Sequence, residues 1–109
     1  MSEIRLVLCT FPDAVTARQI GTLAVENQVA ACVNLVPGVE SIYRWEGKVE
    51  CATEVLGIFK TTAATWPMLA EWLREKHPYD TPEIMAIDPT EVDARYHDWV
   101  LNNVAPPDR

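Results

Sequence analysis

Several signals that would announce a chemistry are missing from this 109-residue chain. It holds three cysteines, Cys9, Cys32 and Cys51, an odd number with no CxxC pair. That excludes a disulfide framework as the organising principle and gives no pattern for a structural zinc knuckle. The four glycines are scattered at positions 21, 38, 47 and 57, so no Gly-rich loop could cradle a phosphate. Positive charge is scarce: nine Lys and Arg stand against sixteen Asp and Glu, a net charge of −7. Such a surface repels phosphate backbones, which argues against nucleic-acid binding and against anionic membranes. No apolar run approaches the ~20 residues that span a bilayer. The opening segment MSEIRLVLCTFPD has only Arg5 as an early cation and no small-residue cleavage pattern after its short apolar stretch. No signal peptide is expected there, and the expectation is a soluble cytoplasmic protein.

What is present suits one domain over 1–109, with 49% apolar residues for its core. Residues 4–9 (IRLVLC) read as a buried strand. A helix is predicted over about 13–28, with Thr10 or Asp13 as cap and Pro12 near its start. Its inner face carries Ala17, Ile20, Leu23 and Ala24, and Gly21 weakens it. Two extended arms follow, 32–45 and 48–61, joined by a tight turn at Glu46-Gly47. Pro37-Gly38 reads as a bend or bulge in the first arm. Along the second, Val49, Cys51, Thr53, Val55 and Phe59 share one face, and Glu50, Glu54 and Lys60 the other. Trp66, Leu69, Ala70 and Leu73 space a second helix, which Pro78 stops after Lys76 and His77. EIMAI makes a fourth strand. Asp88-Pro89-Thr90 is expected to start a last helix with Val92, Tyr96, Trp99 and Val100 inward, and APPDR is a tail. The order β-α-β-β-α-β-α predicts an α+β, ferredoxin-like split βαβ sandwich: an antiparallel sheet with helices on one face, an extended β2–β3 hairpin and an additional C-terminal helix.

Each arm has 14 residues, or ~46 Å at ~3.3 Å per residue. A globule of this length is about 34 Å across. The hairpin should therefore overhang, unless Pro37-Gly38 folds the strand back over its own domain. Tyr43 and Trp45 flank Arg44 near the tip, a composition typical of contact patches. A long unpaired edge invites association, so Tyr43 and Trp45 are candidate interface residues of a self-assembly.

The fold should bring His77, at the end of the second helix, near Cys9 on the first strand, with Glu83 beside them. A thiolate with an imidazole suits copper or zinc, and proton competition would make such binding pH-dependent. Cys32 starts the second strand at the opposite edge and joins Cys9 only if a neighbouring subunit intervenes. Packing is the ordinary role of a buried cysteine and the default for Cys51; His77 could equally serve only the helix end. His97 is read as a surface or interface residue. Cys9 and His77 could also form a thiol–base pair oriented by Asp80 or Glu83, yet no cysteine-hydrolase signature is present. No enzyme is expected.

The segments LVLCTFPD, AACVNLVPGVESIYRWEGKVE, EVLGIFKT, HPYDTPEI and YHDWV together resemble the CutA family of divalent-cation-tolerance proteins. The resemblance covers nearly the whole chain. It implies a ferredoxin-like protomer in a homotrimer joined by the edge strands of long hairpins. It also implies weak or transient copper binding that folding does not require, with metal ligands at Cys9, His77 and Cys32. Some members carry a second histidine where this chain has Lys76, a poor ligand at neutral pH. The family trimer is similar to nitrogen-regulatory signalling trimers. An alternative expectation is therefore an effector-binding or scaffold trimer with no physiological metal, its clefts walled by hairpin residues and the 77–83 segment.

Overall fold

The computed structural model describes residues 2–106. Met1 and the last three residues of the expected APPDR tail lie outside the described residues.

The first strand sets the layering. In β1 (Ile4–Phe11) the side chains of Val7, Cys9 and Phe11 are buried on one face, as period-two alternation requires. The chain then turns into α1 (Ala14–Glu26), where Asp13 is the cap: its carboxylate accepts the Thr16 N–H at 2.8 Å. Ala17, Ile20, Gly21 and Ala24 face the sheet. A Cβ on Gly21 would meet Val33 Cγ1 at 3.0 Å, so the glycine lets the helix lie close to the edge strand. Leu23, expected inward, is exposed: the helix meets the sheet through a narrow stripe of small residues that excludes it.

The hairpin is β2 (Cys32–Trp45) and β3 (Lys48–Thr62). Glu46 and Gly47 both have positive φ, 48° and 79°, the two-residue turn that matches strand twist. The register shifts between Val36 and Val39, where Gly38 has φ of 73°. Pro37-Gly38 is thus a bulge, and the strand continues past it. The molecule measures 43 × 26 × 22 Å, and the residues around the tip are exposed. The bend does not fold the arm back.

Next, α2 (Trp66–Lys76) carries Pro67 in its first turn, and β4 (Met85–Ile87) returns beside β1. The sheet is fully antiparallel in the order β2-β3-β1-β4. Val7, Cys9, Phe11, Val55 and Phe59 pack against Ala17, Ile20 and Ala24 of α1 and Leu69 and Leu73 of α2. The last helix, α3 (Ala94–Asn102), begins later than Asp88-Pro89-Thr90 suggested, capped by Asp93. Asp88 is already committed to Ser2, the Arg5 guanidinium and the Thr90 N–H, and Thr90 stands at φ 57°. Val100 and Val104 close a small second cluster on Ile4 and Ala31, with Val92 beside it. Tyr96 and Trp99, expected inward, stack on each other in a largely exposed position.

Opposite α1 and α2, the sheet shows an apolar surface. Leu6, Leu8, Leu56 and Ile58 are half-buried there, and Val36, Met85 and Ile87 exposed. Among the described residues both sheet edges, β2 and β4, are unpaired. Among the described residues no helix is long and apolar enough to cross a membrane.

Candidate functional site

Where α2 ends, the HPYDTPEI segment folds back over the end of β1. His77 is the C-cap, and its extended backbone stops the helix ahead of Pro78. Its ring, buried, stacks on Phe11 with centroids 5.0 Å apart. The Tyr79 N–H donates to His77 Nδ1 at 3.1 Å. That fixes the proton on Nε2, which donates to the Thr10 carbonyl at 2.7 Å. Both ring nitrogens are engaged, and the imidazole ties the segment to β1.

Cys9 lies one residue from Thr10, so the expected approach of His77 to Cys9 is correct at the level of the strand. Among the described residues, however, no hydrogen bond joins thiol and imidazole. Cys9 points into the core between the sheet and the helices. Burial pushes its thiol up to about 12, and the charges of Glu83 and Glu54 add to the effect. It is a protonated packing thiol. Tyr79 completes the cluster: its hydroxyl donates to Glu54 Oε2 at 2.7 Å, and its ring packs against His77. Burial first, then the bond to Glu54, raises the phenol's pKa.

Cys32 is elsewhere. It sits on the outer strand opposite Lys60, on the face away from Cys9. Its sulfur lies 3.4 Å from the Tyr96 hydroxyl, whose pKa burial and this contact push up to about 12. It opens onto a groove of about 560 Å³ between α1, β2 and α3, lined also by Val25, Val33, Leu35 and Trp99. Cys51 is exposed on the distal arm. Tyr43 and Trp45 are exposed at the tip, as an interface role requires.

Within one protomer, then, the three expected ligands do not converge. Among the described residues no group of three or more His, Cys, Asp or Glu side chains is placed to hold a metal ion. A thiolate and a free imidazole nitrogen are what copper needs; here the thiol is protonated and the imidazole spent. The residues do not fit a resident metal as they stand. Glu54, by contrast, falls on the outward face by strand alternation, yet it is a buried carboxylate.

A family model described as CutA1 divalent ion tolerance protein matches residues 5–103. A divalent-cation tolerance protein CutA from Thermus thermophilus is 45% identical over 103 residues, spanning 94% of this chain and 98% of its own. Its namesake from Escherichia coli is 42% identical over 95 residues, spanning 87% and 85%. The crystal structure of CutA from Xylella fastidiosa superimposes with a TM-score of 0.93 at 33% identity, covering 95% of this chain and all of that one (100%). With the family model matching residues 5–103 and relatives 42–45% identical over most of its length, this chain belongs to the CutA1 divalent ion tolerance family.

Proposed function

We propose that the chain acts as a cytoplasmic homotrimer in divalent-cation tolerance, a binding role rather than a catalytic one. The names of its relatives support the tolerance role. The assembly rests on one geometric observation: a single protomer leaves an apolar sheet face, two free edges and an overhanging arm with Tyr43 and Trp45 exposed. A heterologous pairing of edges closes into a ring and covers all three.

Copper, or an ion of similar softness, is bound weakly or transiently, with Cys9 and His77 as the donors and Cys32 as a separate candidate on the other face. Capture at Cys9 and His77 requires the thiol to lose its proton and the ring to release Thr10 or Tyr79, each an energetic cost set against the metal. Affinity is therefore low and rises with pH. Cys32 is the more open sulfur and needs donors from a neighbour. Light scattering on untagged protein should give the mass of three chains; a folded monomer at micromolar concentration overturns the assembly. Equilibrium competition with a copper chelator should show weaker binding in Cys9→Ser/His77→Ala, and in Cys32→Ser. Unchanged affinity in both variants removes these ligands.

The double engagement of His77 favours a second reading, an effector-binding or scaffold trimer without a physiological metal. Elemental analysis beside mass spectrometry of small molecules released from the untagged protein separates the two. Metal near one equivalent per chain supports the first; an organic ligand without metal supports the second.

A further inference from the structure

Among the described residues, Glu54 is the one buried carboxylate. It lies on β3 opposite Val39, beside the bulge of β2, and is 8% exposed. Among the described residues its single hydrogen bond comes from Tyr79, to Oε2. Oε1 has no protein partner, yet it is not sealed from solvent. No cation answers its charge: the ion pairs among the described residues are Arg5 with Asp88, and His97 with Glu3 and Asp98. Its surroundings are themselves anionic, since Glu83 acts with Glu54 on Cys9, and Asp13 acts with it on Tyr79. A carboxylate taken out of water and left without a counter-charge is costly, and pairing with a cation is the usual remedy.

The same arm carries two exposed cations, Arg44 and Lys48, flanking the tip turn. Neither can return to its own Glu54. Lys48 is six residues away along an extended strand and Arg44 lies opposite Val49, distances of roughly 17–20 Å. Both are exposed, and among the described residues neither forms an ion pair within its own protomer. Lys48 shares its side of the arm with Tyr43, Trp45 and Glu54 itself.

We propose that Glu54, held by Tyr79, is half of an intersubunit salt bridge, completed by a tip cation, Lys48 or Arg44, of a second copy. The surface around Glu54 and Tyr79 then receives the neighbour's hairpin, and the site is incomplete in one chain. This rests on the assembly proposed above and names a contact within it.

The test is a double-mutant cycle on untagged protein, read as the concentration at which the oligomer dissociates on dilution at low salt. Glu54→Gln keeps the side chain's size and an oxygen for Tyr79. It should weaken assembly ~10-fold or more, the lower end of what close interfacial charge pairs show. Lys48→Met or Arg44→Met should weaken it similarly, and combining the responsible one with Glu54→Gln should add little. Strict additivity for both pairs, or a Glu54→Gln oligomer as tight as the wild type, overturns the bridge while leaving the oligomer standing. A wild-type chain that runs as a monomer overturns the assembly itself, a separate result.

Discussion

The two strands of the hairpin lead different lives on either side of the bulge. In the proximal half, Val55 and Phe59 disappear beneath α1 and α2. In the distal half the same strands hold Ile42 at 72% exposure and Val49 at 68%. Backbone pairing resumes after the bulge and runs to the turn at Glu46-Gly47, so hydrogen bonding is not the difference. What changes is the layer above. The proximal half has helices over it and stabilises the protomer. The distal half has none and keeps its apolar surface available for another molecule. A two-stranded ribbon alone is only marginally stable in water, and the proposed assembly would account for its length.

That contrast is open to attack, most forcefully in the globule. Phe59→Ala removes a fully buried ring and should cost about 3–5 kcal/mol in urea unfolding of the dissociated chain. Trp45→Ala should move that same measurement by less than about 0.5 kcal/mol, yet cost the oligomer ~2 kcal/mol per contact on dilution. If Trp45→Ala destabilises the lone chain as Phe59→Ala does, the two halves are not distinct. At the joint, Gly38 has open space around it but φ of 73°. Gly38→Ala should therefore cost ~1 kcal/mol through strain alone, without overpacking; a null effect in thermal melts would show that the bulge relaxes.

The smallest effect belongs to His97, which holds α3 to the N-terminal segment. Its nitrogens lie 3.1 Å from Asp98 and from Glu3. The bond to Asp98, then the bond and charge of Glu3, raise its pKa above 6.5. The charged ring thus favours the folded state fully below pH 6.5, and the benefit fades as pH rises through the raised folded value. The ring is half-buried but Glu3 and Asp98 are largely exposed, so the effect is small and screened by salt. A thermal midpoint that falls slightly from pH 6 to 8 in wild type, and not in His97→Gln, is the expected result.

Much of this was legible because local patterns settled it. Alternation in Ile4–Phe11, the i, i+3, i+4, i+7 spacing of Trp66–Leu73 and the turn residues Glu46-Gly47 each point one way, and the structure agrees. The misreadings share a cause. Glu54 alternates as an outward residue, but Tyr79, 25 positions later, covers it. Asp88 looks like a helix cap, but Ser2, 86 positions earlier, already uses it. Tyr96 and Trp99 have the spacing of an inner face, but Ile4 and Ala31 offer room only for Val100 and Val104. Partners distant in sequence decided these positions. The expected approach of His77 to β1 was sound as topology; that its nitrogens would be consumed by Thr10 and Tyr79 is a matter of rotamer and tautomer, which spacing does not encode.

The bulge at Pro37-Gly38 also sets a reading frame. Before it, even-numbered β2 residues stand opposite even-numbered β3 residues, as Cys32 does Lys60. After it, odd meets even: Tyr43 faces Glu50 and Trp45 faces Lys48. The inserted residue therefore inverts which side chains of the first arm share a surface with Glu54. A ladder that ran on regularly past Pro37-Gly38 with every residue kept would set Ile42 opposite Glu50 and Arg44 opposite Lys48, and would turn Tyr43 and Trp45 away.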